Sequence, residues 1–226
     1  QVYELDLRFR DYINSYNFHK IYVELLNFCT LDLSAFYFDI KKDILYCDGE
    51  NSLRRNKCLE VLNVLTNFLL KWFSPILAFT SEEAYQVIKN KNYKSIHLQD
   101  FPTIPSTWNN SEVKNKWIGI KKVKQVVNAA IEDIRNTKII GSSLEANVIV
   151  YLKEEYLNLI KEEDLSEIFI CSEAKAESLI NQSNLFSLKD IEGVAVKIVK
   201  AKGQKCSRCW KILEKTCSRD ICGLKN

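Results

Sequence analysis

No methionine occurs in these 226 residues, not even at position 1. The expectation is a chain that begins inside a longer reading frame or after processing, so a complete activity is not expected of it. No secretory leader is expected either, because "QVYELDLRFRDY" is polar and charged from the start. No apolar run approaches the ~18 residues of a membrane span. The longest candidate, residues 59–79, is broken by Asn63, Asn67, Lys71 and Pro75. These absences lead to the expectation of a soluble, cytoplasmic protein with no membrane attachment. Internal repeats and low-complexity tracts are missing too. What remains is 46% hydrophobic and 27% charged, an ordinary globular composition, and long enough for one large domain or two smaller ones.

The first half reads as helices. Phe18, Ile21, Tyr22, Leu25, Leu26 and Cys29 recur at three and four residues, which predicts one buried helical face. Phe36, Ile40 and Ile44 continue at steps of four. Leu62, Leu65, Leu69 and Trp72 form a further stripe, with Val61, Val64 and Phe68 beside it, and Pro75 ends or kinks that helix. Thr80 with Glu83 predicts a capping box for the next helix. Two of the three prolines fall in "QDFPTIPSTWNNS", which reads as a connector. A long amphipathic helix follows through Val113, Trp117, Ile120, Val123, Val127, Ile131 and Ile134, with Gly141 shortly after its end. "EANVIVYL" predicts a strand, "EEYLNLI" a helix, "LSEIFICS" a strand and "VAVKIVKA" another. The expected fold is mainly α: a helical bundle over 1–106, a long helix with a small α+β module over 107–201, and a cysteine tail over 202–226.

Charge is uneven. Residues 202–226 hold seven basic and two acidic side chains, a net +5 that leaves −2 for the rest of a chain totalling +3. A basic end on a nearly neutral body suits an anionic partner, nucleic acid first; a solvated terminus is the plainer reading.

Four of the eight cysteines lie in this tail: Cys206, Cys209, Cys217 and Cys222, spaced C-x2-C-x7-C-x4-C. A C-x-x-C turn points two sulfurs at one point, and a second pair completes a tetrahedron around one structural Zn²⁺. So short a segment lacks a core of its own, and metal would supply its folding energy. Four thiolates and one Zn²⁺ carry −2, so the tail stays basic. Disulfides would suit a secreted chain, and a redox C-x-x-C would open a helix after a strand. Cys29, Cys47, Cys58 and Cys171 lie in apolar segments.

Ser52 is a good N-cap for "LRRNKCLEVL". That puts Arg54 and Arg55 in a first turn, with Lys57 next. The positive end of a helix disfavours cations by ~0.3–1 kcal/mol each. Basic side chains plus free amides there make a phosphate site; the alternative is local pairing with Asp48 and Glu50. Lys114, Lys116, Lys121, Lys122 and Lys124 border the long helix's apolar stripe, either as a solvated face or along an RNA backbone.

Several segments, in order, resemble the C-terminal part of the bacterial isoleucyl-tRNA synthetases. "YNFHKIYVELLNFCTLDLSAFYFDIKKDILYCD", "SLRRNKCLEVL" and "FSPILAFTSEEAY" are similar to the helical anticodon-binding domain of the class I enzymes for aliphatic amino acids. "IGSSLEANV" resembles the segment after their long helix, and "KCSRCW" the start of their C-terminal zinc module. The resemblance spans essentially the whole chain. It implies a whole enzyme that activates isoleucine with ATP and charges tRNA(Ile). The HIGH-type and KMSKS-type signatures of its catalytic centre are absent here, so no catalytic residue is assigned. The part implied is the one that holds the anticodon end of the tRNA. Unpaired bases are read by stacking on aromatics and arginine planes. Trp210, flanked by Arg208 and Lys211, is the candidate platform, or else it packs on the α+β module. The tRNA-binding set is then Arg54, Arg55, Lys57, Arg208, Trp210 and Lys211. No protein partner is implied, and a monomer is expected.

One departure stands out. The family tail has a second C-x-x-C pair, whereas Lys225 stands where the partner of Cys222 would be. Either Cys217 and Cys222 form a looser pair, or Cys222 is the third ligand and the fourth lies beyond Asn226 or is lost. The rival readings are a valyl- or leucyl-type anticodon domain, a stand-alone zinc-bearing RNA binder, and a purely structural zinc-stapled helical protein.

Overall fold

A computed structural model describes residues 1–89, 92–179 and 184–219. The chain is mainly α with a small sheet, and it divides into two compact units. One comprises Gln1–Asp39 and Asn51–Asn110; the other comprises Ile40–Glu50 and Ser111–Asn226.

The first unit contains α1 (Val2–Asn14), α2 (Phe18–Asn27), α4 (Leu53–Phe73) and α5 (Ala78–Val87). Its core forms around Trp72. Phe9 meets that ring edge-on at 5.2 Å, and Phe28 and Phe68 lie at 6.4 and 5.7 Å. The indole N–H donates to Asp6 at 3.0 Å, and the other carboxylate oxygen accepts from Arg10 at 2.8 Å. A buried carboxylate is thereby fully engaged, as burial of charge requires. Arg10 also donates to the carbonyl of Pro102 and lies over the Phe101 ring, tying the proline-containing connector to this core. Two of the six residues of the expected stripe are buried: Ile21 and Leu25 are inside, Cys29 is half-buried, and Phe18, Tyr22 and Leu26 are exposed.

Between α2 and α3 (Asp39–Cys47) the chain winds as a π-helix over Phe28–Phe38. The wider i→i+5 winding changes the period of the buried face. Phe28 and Leu33 are buried five residues apart, and Phe38 packs beside them after another five. Phe36, expected on the stripe, is only half-buried. Spacing returns to four and three in α3, where Ile40, Ile44 and Cys47 are buried. The unbroken helical run Phe18–Cys47 is 30 residues long with a mean hydropathy of 1.2 in its most apolar window. By length and composition alone it could cross a membrane, against the expectation that no run comes close. Core helices of soluble proteins pass the same measure, and Ile21, Leu25, Phe28 and Leu33 belong to the first unit's core.

Two local expectations fail in this half and the next. α5 begins at Ala78 with Leu77 as its N-cap, so Thr80 lies inside the first turn and forms no capping box. The neighbouring Glu82 accepts from the Ser95 hydroxyl and the Ile96 amide. "LSEIFICS" is not a strand: Leu165–Ile168 form one helical turn, α8, capped by Asp164, whose carboxylate accepts from the Glu167 amide. Ile170 then turns left-handed at φ +55°.

In the second unit α6 (Ser111–Asn136) lies on a three-stranded sheet of order β2-β1-β3. Central β1 (Ala146–Leu152) pairs parallel with β2 (Glu173–Ser178) and antiparallel with β3 (Val194–Lys200). The crossover carries α7 (Glu154–Ile160) and α8. Ile120, Val123, Val127 and Ile131 of α6 meet Val148, Val150, Val194 and Val196 of the sheet in one core. Two lysines of α6 have partners inside this unit. Lys124 is buried and donates to the carbonyl of Ile168, and Lys116 pairs with Glu163 at 2.7 Å. A two-stranded hairpin of β4 (Gln204–Lys205) and β5 (Ile212–Leu213) closes the described chain.

Candidate functional site

The β4–β5 hairpin carries Cys206 and Cys209 in its loop, and Cys217 follows it. Gly203 opens it at φ +124°, where a Cβ would sit 2.2 Å from the Leu213 carbonyl oxygen; glycine alone allows the strands to approach this closely. The loop closes on itself: the Cys206 amide donates to the Lys211 carbonyl at 2.9 Å, and the Trp210 amide to the Cys206 carbonyl at 3.0 Å. The sulfurs of Cys206, Cys209 and Cys217 all lie within 4.8 Å of one another, with Cys209 and Cys217 at 4.0 Å. A tetrahedral centre with metal–sulfur bonds of about 2.3 Å needs sulfurs ~3.8 Å apart, so this cluster could hold a metal ion. Cys222 lies outside the described residues. Burial pushes the Cys209 thiol up to about 11, opposed by the Lys211 amide. The remaining cysteines serve the cores or helix faces. Cys47, Cys58 and Cys171 are buried, Cys29 is half-buried, and no described cysteine forms a disulfide.

Trp210 is 61% exposed, so most of its surface is open to solvent. Its φ of +62° is a conformation that bulky residues rarely adopt, imposed where the chain turns back after Cys209. The Lys205 ammonium lies 6.0 Å above its ring. Arg208 is exposed, and its guanidinium donates twice to the Tyr46 carbonyl, at 3.2 and 2.8 Å. Lys211 faces inward: it is 7% exposed and its ammonium donates to Ser166 Oγ. The adjacent Ile212 amide donates to Ser172 Oγ, which fastens the hairpin to the α8–β2 turn.

Arg54, Arg55 and Lys57 form a second group, on the first unit. Ser52 caps α4 as expected, its hydroxyl accepting from the Arg55 amide. Arg54 and Lys57 are exposed and Arg55 is half-buried, with no acid in that first turn. Sequence reasoning missed the seat of the tail on α3, made by Asp43, Tyr46, Cys47 and Asp48. A signal was present: Asp43 and Asp48 bracket a helix C-terminus that disfavours acids and holds no basic residue in its last turn. They await cations from elsewhere.

Residues 2–150 match the family described as the anticodon-binding domain of tRNA ligase. The chain is 48% identical over 219 residues to the isoleucine–tRNA ligase of Pelagibacter ubique, an alignment covering 97% of this chain and 23% of that protein. It is 41% identical to the isoleucine–tRNA ligase of Ruegeria pomeroyi and 40% to that of Agrobacterium fabrum, covering 93% and 92% of this chain and 22% of each relative. The chain thus spans less than a quarter of the relatives it matches. With a helical unit leading into a long helix and β1 across the matched residues, the chain belongs to the anticodon-binding domain family of the tRNA ligases.

Proposed function

We propose that this chain is the anticodon-end tRNA-binding portion of an isoleucine–tRNA ligase, with tRNA(Ile) as its partner. In this reading the ATP and isoleucine chemistry belongs to the part of the enzyme not represented here. The observation that carries the reading is the exposed, left-handed Trp210 on a basic hairpin in a chain of this family. A base stacked on an aromatic ring contributes about 1–3 kcal/mol, and Lys205 and Arg208 supply cations beside that ring. Arg54, Arg55 and Lys57 at the N-terminus of α4 contact phosphates, where helix amides and positive side chains act together. Lys211 serves from beneath, holding the hairpin through Ser166.

Zinc is the proposed ion, held by Cys206, Cys209 and Cys217 with Cys222 as fourth ligand. Soft thiolates in a tetrahedral set favour it. The bound ion supplies folding energy to the hairpin, which presents Trp210. The working state is a cytoplasmic monomer.

The test is a salt titration of binding to transcribed tRNAs bearing isoleucine or valine anticodons. Preference for the isoleucine anticodon, with affinity falling steeply in salt, is the expected result. Equal affinity for both anticodons overturns the isoleucine assignment, and salt-independent binding overturns the phosphate contacts.

A further inference from the structure

Each arm of the cysteine hairpin is tied separately to the last turn of α3. The C-x-x-C arm is held through Arg208, whose guanidinium caps the Tyr46 carbonyl, while the Cys47 thiol lies 4.0 Å from the Arg208 carbonyl. Such carbonyls at a helix end lack an intrahelical donor. The Cys217 arm is held through Arg219, two residues on, whose Nη2 donates to Asp43 Oδ2 and whose Nε lies 3.9 Å from Asp48 Oδ1. The Arg219 side chain is only 21% exposed. Its Nη1 is buried with no hydrogen-bond partner among the described residues, and its charge is within electrostatic reach of Cys209 as well as of the two aspartates.

The charges explain why a cation belongs there. Three thiolates around a divalent ion carry −1 and four carry −2. Asp43 and Asp48 add two further negative charges on the same side of the hairpin. Arg219 is a positive group within electrostatic reach of both sets, and its remaining N–H is suited to a charged acceptor.

We propose that Arg219 is a positioning residue of the metal centre: anchored on Asp43 and Asp48, it brings Cys217 to the sulfurs of Cys206 and Cys209 and offsets the negative charge of the occupied site. This rests on the metal reading above. Partners outside the ligand shell typically change metal affinity 10–100-fold.

The experiment loads Co²⁺ into the purified full chain and into Arg219→Ala, Arg219→Lys and Asp43→Asn. Sulfur-to-cobalt charge-transfer absorption and competition against a chromophoric chelator are read at one pH. The wild type is expected to take up one Co²⁺. Arg219→Ala should bind about 10–100-fold more weakly with its helical circular dichroism intact. Arg219→Lys should recover part of that loss, and Asp43→Asn should weaken binding without adding to Arg219→Ala in the double variant. An Arg219→Ala protein with the wild-type spectrum and an affinity within about twofold overturns the inference alone. A wild type that takes up no Co²⁺ overturns the metal reading and the inference together. Should Arg219→Ala lose its helical signal, Asp43→Asn decides by the same criterion.

Discussion

Trp210 combines two features that rarely coincide, a bulky side chain at positive φ and 61% exposure. Strain of this kind persists where surrounding structure over-determines it, and it concentrates at functional sites. Trp210→Ala is expected to relieve the exposure and to weaken tRNA binding by about 1–3 kcal/mol, while Trp210→Phe keeps most of the affinity. Fluorescence anisotropy with labelled tRNA reads both variants, and an alanine variant of wild-type affinity removes the stacking role. Cys171 shows the opposite chemistry. It is fully buried beside the sheet, donates to the Glu173 carbonyl, and burial pushes its thiol from 9.0 up to about 12. Above pH 9 the unfolded chain loses this proton while the folded one keeps it. The stability is therefore present below pH 9 and declines from about pH 9 to about pH 12. At pH 10.5 the loss should be ~2 kcal/mol. In Cys171→Ala, chemical denaturation should show a flatter alkaline decline than in the wild type; equal declines would count against a neutral buried thiol.

Among the elements, α8 and β2 show how local and long-range information divide. α8 rests on a cap: Asp164 accepts from the Glu167 amide and also from the Ser166 hydroxyl. Asp164→Ala should cost about 1 kcal/mol, read as a shift in the denaturation midpoint at constant slope. The pattern Asp164-x-x-Glu167 is a helix-start signal. It is outweighed in a sequence reading by the β-branched and aromatic run that follows. β2 reads "EAKAES", residue types depleted in strands, yet six residues pair in register with β1. The β4–β5 hairpin depends on one residue type at one place. Gly203→Ala would drive a Cβ into the backbone of Leu213. It is expected to separate the strands and reduce metal retention at least as far as removal of one cysteine does. Metal analysis after dialysis tests this, and full retention would mean the strands can part without opening the site.

Across the whole molecule, the two cores and the cysteine hairpin rest on different sources of stability. The cores are built from packed side chains, Trp72 with its aromatic neighbours in one unit and α6 against the sheet in the other. The described tail has few buried apolar groups, Cys209 and the Lys211 stem among them. Chelation is therefore expected to abolish hydrogen-exchange protection over residues 204–213 while protection in α6 and β1 persists. Loss of protection in all of these together would mean that the hairpin and the second core form one cooperative unit. tRNA affinity should fall in the same preparation, because Trp210 is then no longer held.

The sequence by itself determined the helices with a strong period, the long α6, strands β1 and β3, the Ser52 cap, and the grouping of Cys206 with Cys209. In each of these the physical cause is local: hydrophobic spacing, a capping side chain, or a two-residue turn. Its ordered motifs also carried the family. Tertiary structure decided the rest. It turned "LSEIFICS" into a helical turn and made a strand of β-poor residues through pairing with β1. It placed Lys124 and Lys211 inside, where distant backbone and hydroxyl oxygens accept from them. It also drew Cys217 to a C-x-x-C turn eight residues away, with Arg219 seated on aspartates at the end of α3. Period and propensity describe a residue's neighbours along the chain, whereas burial and charge pairing depend on groups far along it, 44 residues away for Lys124 and 176 for Arg219.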